Sequence, residues 1–195
     1  DYLYEDAYRN VLFLDNHDLG RIYGELGEDL DKFKSAVSLL LTLRGIPMLY
    51  YGSEILMTGT GGAFGEGGRR DFPGGFPRDK ENKFKERDRT TEEQEAFNVI
   101  KALANYRKEN PVLQNGQLTQ YIPEDGVYVF FRYNEEKTVM IAYNSNPAEM
   151  TLATDRFAQQ IAGAKAGTNI VTGQKVEDVG TVLLGAYETV VLELE

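Results

Sequence analysis

Two apolar runs, each broken abruptly by polar residues and separated by a stretch of helical periodicity, constrain the first half of this chain more than any other feature. Val11 to Asp18, VLFLDNHD, ends in Asn16, His17 and Asp18, and His17 is the only histidine. Gly45 to Glu54, GIPMLYYGSE, is a second run ending in polar and glycine residues. Between them Phe33, Val37, Leu40 and Leu41 recur close to one helical face, and Asp29 and Asp31 stand where the helix dipole favours acids. A helix is expected over Leu30 to Leu43. Gly45 suits its C-terminal cap and Pro47 cannot continue its hydrogen-bond ladder, so the second strand begins there. On that strand Tyr50 and Tyr51 would alternate, one facing inward and the other the helical layer.

The chain beyond this unit changes character twice. From Met57 to Phe76 glycine recurs at 59, 61, 62, 65, 67, 68, 74 and 75 with little periodicity, which reads as a long loop. A dinucleotide fingerprint fails there, because Phe64 stands where the third glycine belongs, and no Gly-Lys-Ser/Thr triplet occurs. Arg78 to Arg89 mixes both charge signs and reads as a solvated connector. A second helix begins near Thr91, where Thr90 with Glu93, or Thr91 with Gln94, offers a capping box ahead of Phe97, Ile100, Leu103 and Ala104. Glu92, Glu93 and Glu95 sit where the dipole favours them. Asn110 and Pro111 end that helix. Short alternating runs then follow, with turns at 124–126 and 134–137: 118–122, 127–133, 138–143, 150–154, 169–171, 181–184 and 189–194. They imply an antiparallel β-sandwich. The expected domains are therefore 1–110 and 111–195.

Composition narrows the function classes. With 42% hydrophobic and 27% charged residues the chain is ordinary for a globular protein. No run approaches the roughly 18 to 20 apolar residues of a membrane span, and DYLYEDAYRN has no basic segment leading into an apolar one, so no signal peptide is expected in it. A net charge of −10 opposes nucleic acid and anionic membrane surfaces and leaves a neutral substrate compatible. With no cysteine and one histidine, disulfides, thiolate metal sites and a multi-histidine zinc site are excluded within the chain.

FLDNHD, followed by a helix and then GIPMLYYGSEI, resembles the seventh and eighth barrel strands of the α-amylase family of glycoside hydrolases. The glycine-rich loop leading into RRDFPGG is similar to neopullulanase- and cyclomaltodextrinase-like members. The resemblance covers nearly the whole chain. It implies α/β plus all-β architecture: the last two β/α units of a (β/α)8 TIM barrel, then the C-terminal antiparallel β-sandwich domain. A complete barrel needs about 250 residues, so 195 residues are expected to be a C-terminal portion.

In such a barrel the strand C-termini carry the chemistry. The resemblance implies a retaining enzyme acting on α-glucosidic bonds of starch-derived glucans, pullulan or cyclodextrins. Asp18 matches the carboxylate that stabilises the transition state, and His17 would donate to a hydroxyl of the same sugar. The nucleophile and acid/base, about 5 to 5.5 Å apart in retaining enzymes, would lie on earlier strands, leaving this chain alone inactive. Asn16 is a further substrate-binding candidate, although Asn16 and Asp18 also suit a simple turn after a strand. Arg21 either lines the pocket or is structural. Arg70 and Asp71, with Arg69, either bind sugar hydroxyls beyond the cleaved bond or form a loop salt-bridge cluster. Phe64, Phe72 and Phe76 either face sugar rings or pin the loop. Glu54 either reaches the cleft or caps a turn. No metal site or cofactor is implied within the chain, and calcium is left to parts of the parent outside it. Self-association is left open. Localisation is left open between cytoplasmic and extracytoplasmic, with a periplasmic or secreted parent slightly favoured. A non-catalytic carbohydrate-binding module or a pseudo-enzyme is the alternative, although the absence of Trp leaves no obvious sugar platform in the β-domain.

Overall fold

The computed structural model describes residues 3–61 and 67–195. The first half opens with β1 (Val11–Leu12), a single turn α1 (Ile22–Glu25), α2 (Leu30–Thr42) and β2 (Ile46–Pro47). β1 and β2 pair in parallel, Val11 opposite Ile46 and Leu12 opposite Pro47, with α2 as the crossover. Asp29 caps α2 by accepting from the amides of Asp31 and Lys32. Its carboxyl is held below the ordinary range, first by the Lys32 amide, against the opposing effect of burial.

The strands are much shorter than the apolar runs. The chain leaves the ladder after Leu12 and after Pro47, because the two-stranded sheet offers partners only there. Tyr50 and Tyr51 therefore do not alternate on a strand. They lie in the turn beyond it and pack on each other with ring centroids 4.7 Å apart. Glu54 falls in a 3-10 turn, Ser53–Ile55.

α3 (Thr91–Glu109) starts with the box formed by Thr90 and Glu93, and α4 (Pro111–Gln114) follows at once. Then come β3 (Gln117–Gln120), β4 (Val127–Tyr133), β5 (Thr138–Asn144), β6 (Met150–Ala153), the turn α5 (Ala158–Ile161), β7 (Gly167–Asn169), β8 (Lys175–Val176), β9 (Thr181–Leu184) and β10 (Thr189–Leu194). Six strands form an antiparallel sheet in the order β3-β4-β5-β10-β7-β8, and β6 pairs with β9 as a second, two-stranded sheet. The strand expected over 169–171 lies earlier, over 167–169, because the Asn169 side chain accepts from the amides of Val171 and Thr172 and turns the chain.

The continuous apolar runs of β4 and β5 follow from a sheet covered on both faces. Phe130, Val139, Ile141 and Val191 point to the helices and share one core with Phe33, Val37, Leu41, Ile100, Leu103, Val112 and Leu113. Val129, Phe131, Met140, Ala142, Val190 and Leu192 point the other way, against Phe157, Val182 and Leu184. The first core crosses residue 110, so helices and sheet are packed through shared side chains. Among the described residues no helix is long and apolar enough to cross a membrane.

Candidate active site

The end of β1 is built around two carboxylates with different fates. Asp15 is buried and accepts from the Ile22 amide at 3.0 Å and from Ser53 Oγ at 3.3 Å, so it ties the turn after β1 to the turn after β2. Sequence reasoning passed over it; the only signal was an acid directly following an apolar run. Asp18 is exposed, its side chain 64% accessible. Asn16 makes the turn between them, its Oδ1 accepting from the amides of Asp18 at 2.8 Å and Leu19 at 3.1 Å. That turn presents the Asp18 carboxylate outward.

Both Asp18 oxygens are engaged. His17 Nε2 lies 3.2 Å from Oδ2, and Arg69 Nη2 donates to Oδ1 at 3.0 Å. Arg69 Nε also donates to the His17 carbonyl at 2.9 Å. Asn16, His17, Asp18 and Arg69 thus form one cluster.

Arg21, Arg70 and Asp71 are placed otherwise. Arg21 is fully buried, with its guanidinium 4.0 Å from the Tyr50 ring centroid and 4.7 Å from that of Tyr51. It donates from Nε to the Gly68 carbonyl at 3.0 Å and from Nη1 to the Tyr51 carbonyl. Its packing is that of a structural tie among three loops. Arg70 spends its donors on its own loop, Nη2 to the Thr58 carbonyl at 2.8 Å and Nε to the Gly67 carbonyl, while its carbonyl accepts from the Tyr51 hydroxyl at 2.7 Å. Asp71 is exposed. Burial, followed by its contact with Tyr51, pushes the Tyr50 phenol up. Phe72 packs on Phe84 at 4.4 Å, Phe76 is exposed, and Phe64 lies outside the described residues.

The cluster has the chemistry of a hydroxyl-binding site: an exposed carboxylate to accept, with an imidazole and a guanidinium to donate. Among the described residues no group of three or more His, Asp or Glu side chains is placed to hold a metal ion.

Residues 2–89 match the α-amylase catalytic domain family, and residues 118–193 match the cyclo-malto-dextrinase C-terminal domain family. A cyclomaltodextrin glucanotransferase of Paenibacillus macerans is 35% identical over 134 residues, which are 69% of this chain and 16% of that protein. A maltogenic α-amylase of Bacillus acidopullulyticus is 33% identical over 168 residues, 82% of this chain and 26% of that protein. The crystal structure of an α-amylase from Geobacillus thermoleovorans superposes with a TM-score of 0.72 at 26% identity, covering 98% of this chain and 40% of the other. The chain thus spans well under half the length of the proteins it matches.

Proposed function

The chain belongs to the α-amylase family of glycoside hydrolases, and from that premise we propose that it is the closing part of a catalytic barrel together with its C-terminal β-domain. On this reading β1 and β2 are the seventh and eighth barrel strands. The parent cleaves α-glucosidic bonds of starch-derived glucans, pullulan or cyclodextrins with retention of configuration. The observation that carries the reading is the position of Asp18. It is exposed at the carboxyl end of a parallel strand, the end where (β/α)8 enzymes place their chemistry.

Asp18 does not act as the nucleophile in this scheme. Its carboxylate accepts ring hydroxyls of the sugar under attack, bonds that strengthen as positive charge develops on the ring and that supply several kcal/mol. His17 donates to the same sugar, and Asn16 holds the turn that aims both. Asp15 is unsuited to a reacting role, being committed to Ile22 and Ser53. The nucleophile and acid/base are assigned to strands outside this chain, so the chain alone is expected to be inactive.

The test is reducing-sugar release from pullulan, cyclodextrin and soluble starch by the full open reading frame beside this 195-residue chain. Activity in the long form alone supports the proposal. Activity in neither moves the weight to a pseudo-enzyme or a binding module.

A further inference from the structure

The glycine-rich loop is not absorbed by any phosphate-binding or simple linker role, and its contacts point to a task. A Cβ on Gly61 would stand 2.4 Å from the carbonyl carbon of Leu19 and 2.6 Å from the Asp18 carbonyl oxygen. The loop backbone therefore lies directly on the turn that carries Asp18, with no space for a side chain. A Cβ on Gly59, at φ +152, would stand as close to the Gly67 and Gly68 backbones, and the Gly59 carbonyl accepts from the Arg21 amide at 2.8 Å. Thr60 and Gly67 bridge the two limbs of the loop, and buried Arg21 holds the Gly68 carbonyl. The next residue is Arg69, whose guanidinium reaches both the His17 carbonyl and the Asp18 carboxylate.

We infer that Arg69 is a positioning residue for the reaction proposed above, and that the glycines at 59 and 61 exist to seat its loop against Asp18. Arg69 takes Oδ1 while His17 stands at Oδ2, which fixes the plane of the carboxylate before substrate arrives. Among the described residues these two are the basic side chains within ion-pair distance of Asp18. Arg69 is half exposed, with 50% of its side chain accessible, so its contact with Asp18 contributes little to stability. Its effect is on geometry, and small misplacements of a substrate-orienting group are costly in rate.

The inference rests on the functional reading, and one experiment separates the two. The full-length protein is made as wild type, Arg69→Gln, Arg69→Lys, Asp18→Asn and the Asp18→Asn/Arg69→Gln double variant, and assayed on cyclodextrin, pullulan and soluble starch. Arg69→Gln is expected to lower kcat about tenfold with KM changed less than about threefold, with Arg69→Lys recovering part of the loss. In the Asp18→Asn background the same substitution should have little further effect, since Arg69 acts through Asp18. An active wild type whose kcat is unmoved by Arg69→Gln, or losses that multiply independently, overturns this inference alone. An inactive wild type overturns the functional reading and this inference with it.

Discussion

Asp18 and Arg21 stand three residues apart and have opposite environments, which a sequence pattern does not distinguish. The polar break after an apolar run was legible, as was Asn16 as a turn former, since its side chain serves the amides of the next residues. The partner of Asp18 was not, because Arg69 lies 51 residues away and arrives through a loop whose path depends on close backbone approach. Burial of Arg21 was equally hidden: it arises from the Tyr50 and Tyr51 rings folding over a guanidinium, where a strand reading had separated them. Arg21→Met is expected to destabilise the chain by about 2 kcal/mol, because the Gly68 and Tyr51 carbonyls lose a charged donor. A urea midpoint at the wild-type value would show that Arg21 is not a structural tie.

At the level of elements, α2, α3, β4, β9 and β10 were readable because each has a complete local signal: an apolar face, a cap, or a clean run between turns. The Thr90 box is one such signal, with the Glu93 amide donating to Thr90 Oγ1 and the Thr90 amide to Glu93 Oε2. Thr90→Ala should cost about 1 kcal/mol in thermal unfolding. β8 was missed because two residues carry no periodicity. The end of α2 was legible to within a residue, but the side chains that serve its last carbonyls were not, since they come from elsewhere in the chain. Arg107 on α3 donates to the Leu41, Leu43 and Gly45 carbonyls, and fully buried Arg132 on β4 donates to those of Thr42 and Gly116. The Leu41, Thr42 and Leu43 carbonyls form the negative end of the α2 dipole, so two cations are held against it. Burial, reinforced by the nearby Arg107 charge, brings the Arg132 guanidinium down to about 10. Arg132→Met should lower stability by about 2 to 3 kcal/mol through the orphaned carbonyls. No change in denaturation midpoint would contradict a latch between helix and sheet.

Across the whole molecule the two halves are joined by a shared core, and β10 is tied to α3 at its end as well. Tyr106 donates to Glu193 Oε2 at 2.6 Å and Lys137 pairs with Oε1 at 2.9 Å. Burial pushes the Glu193 carboxyl up, but these bonds together outweigh it and leave the group below 4.5. A depressed folded value contributes stability that is full above 4.5 and is lost as pH falls through the folded value. Glu193→Gln should therefore flatten the acid side of the stability curve, read from thermal unfolding between about pH 7 and pH 3; an unchanged slope would remove that contribution. Val11, Phe13, Ile46, Met48 and Leu49 are exposed around the β1–β2 pair, an apolar surface that the proposed reading assigns to contact with further barrel strands. The central claim, that this surface closes a barrel in which Asp18 stabilises the transition state, is met most directly by the kinetics of full-length Asp18→Asn on cyclodextrin. The account predicts kcat lower by about a hundredfold or more with a much smaller change in KM. A kcat equal to that of the wild type would contradict it and leave Asp18 a turn residue.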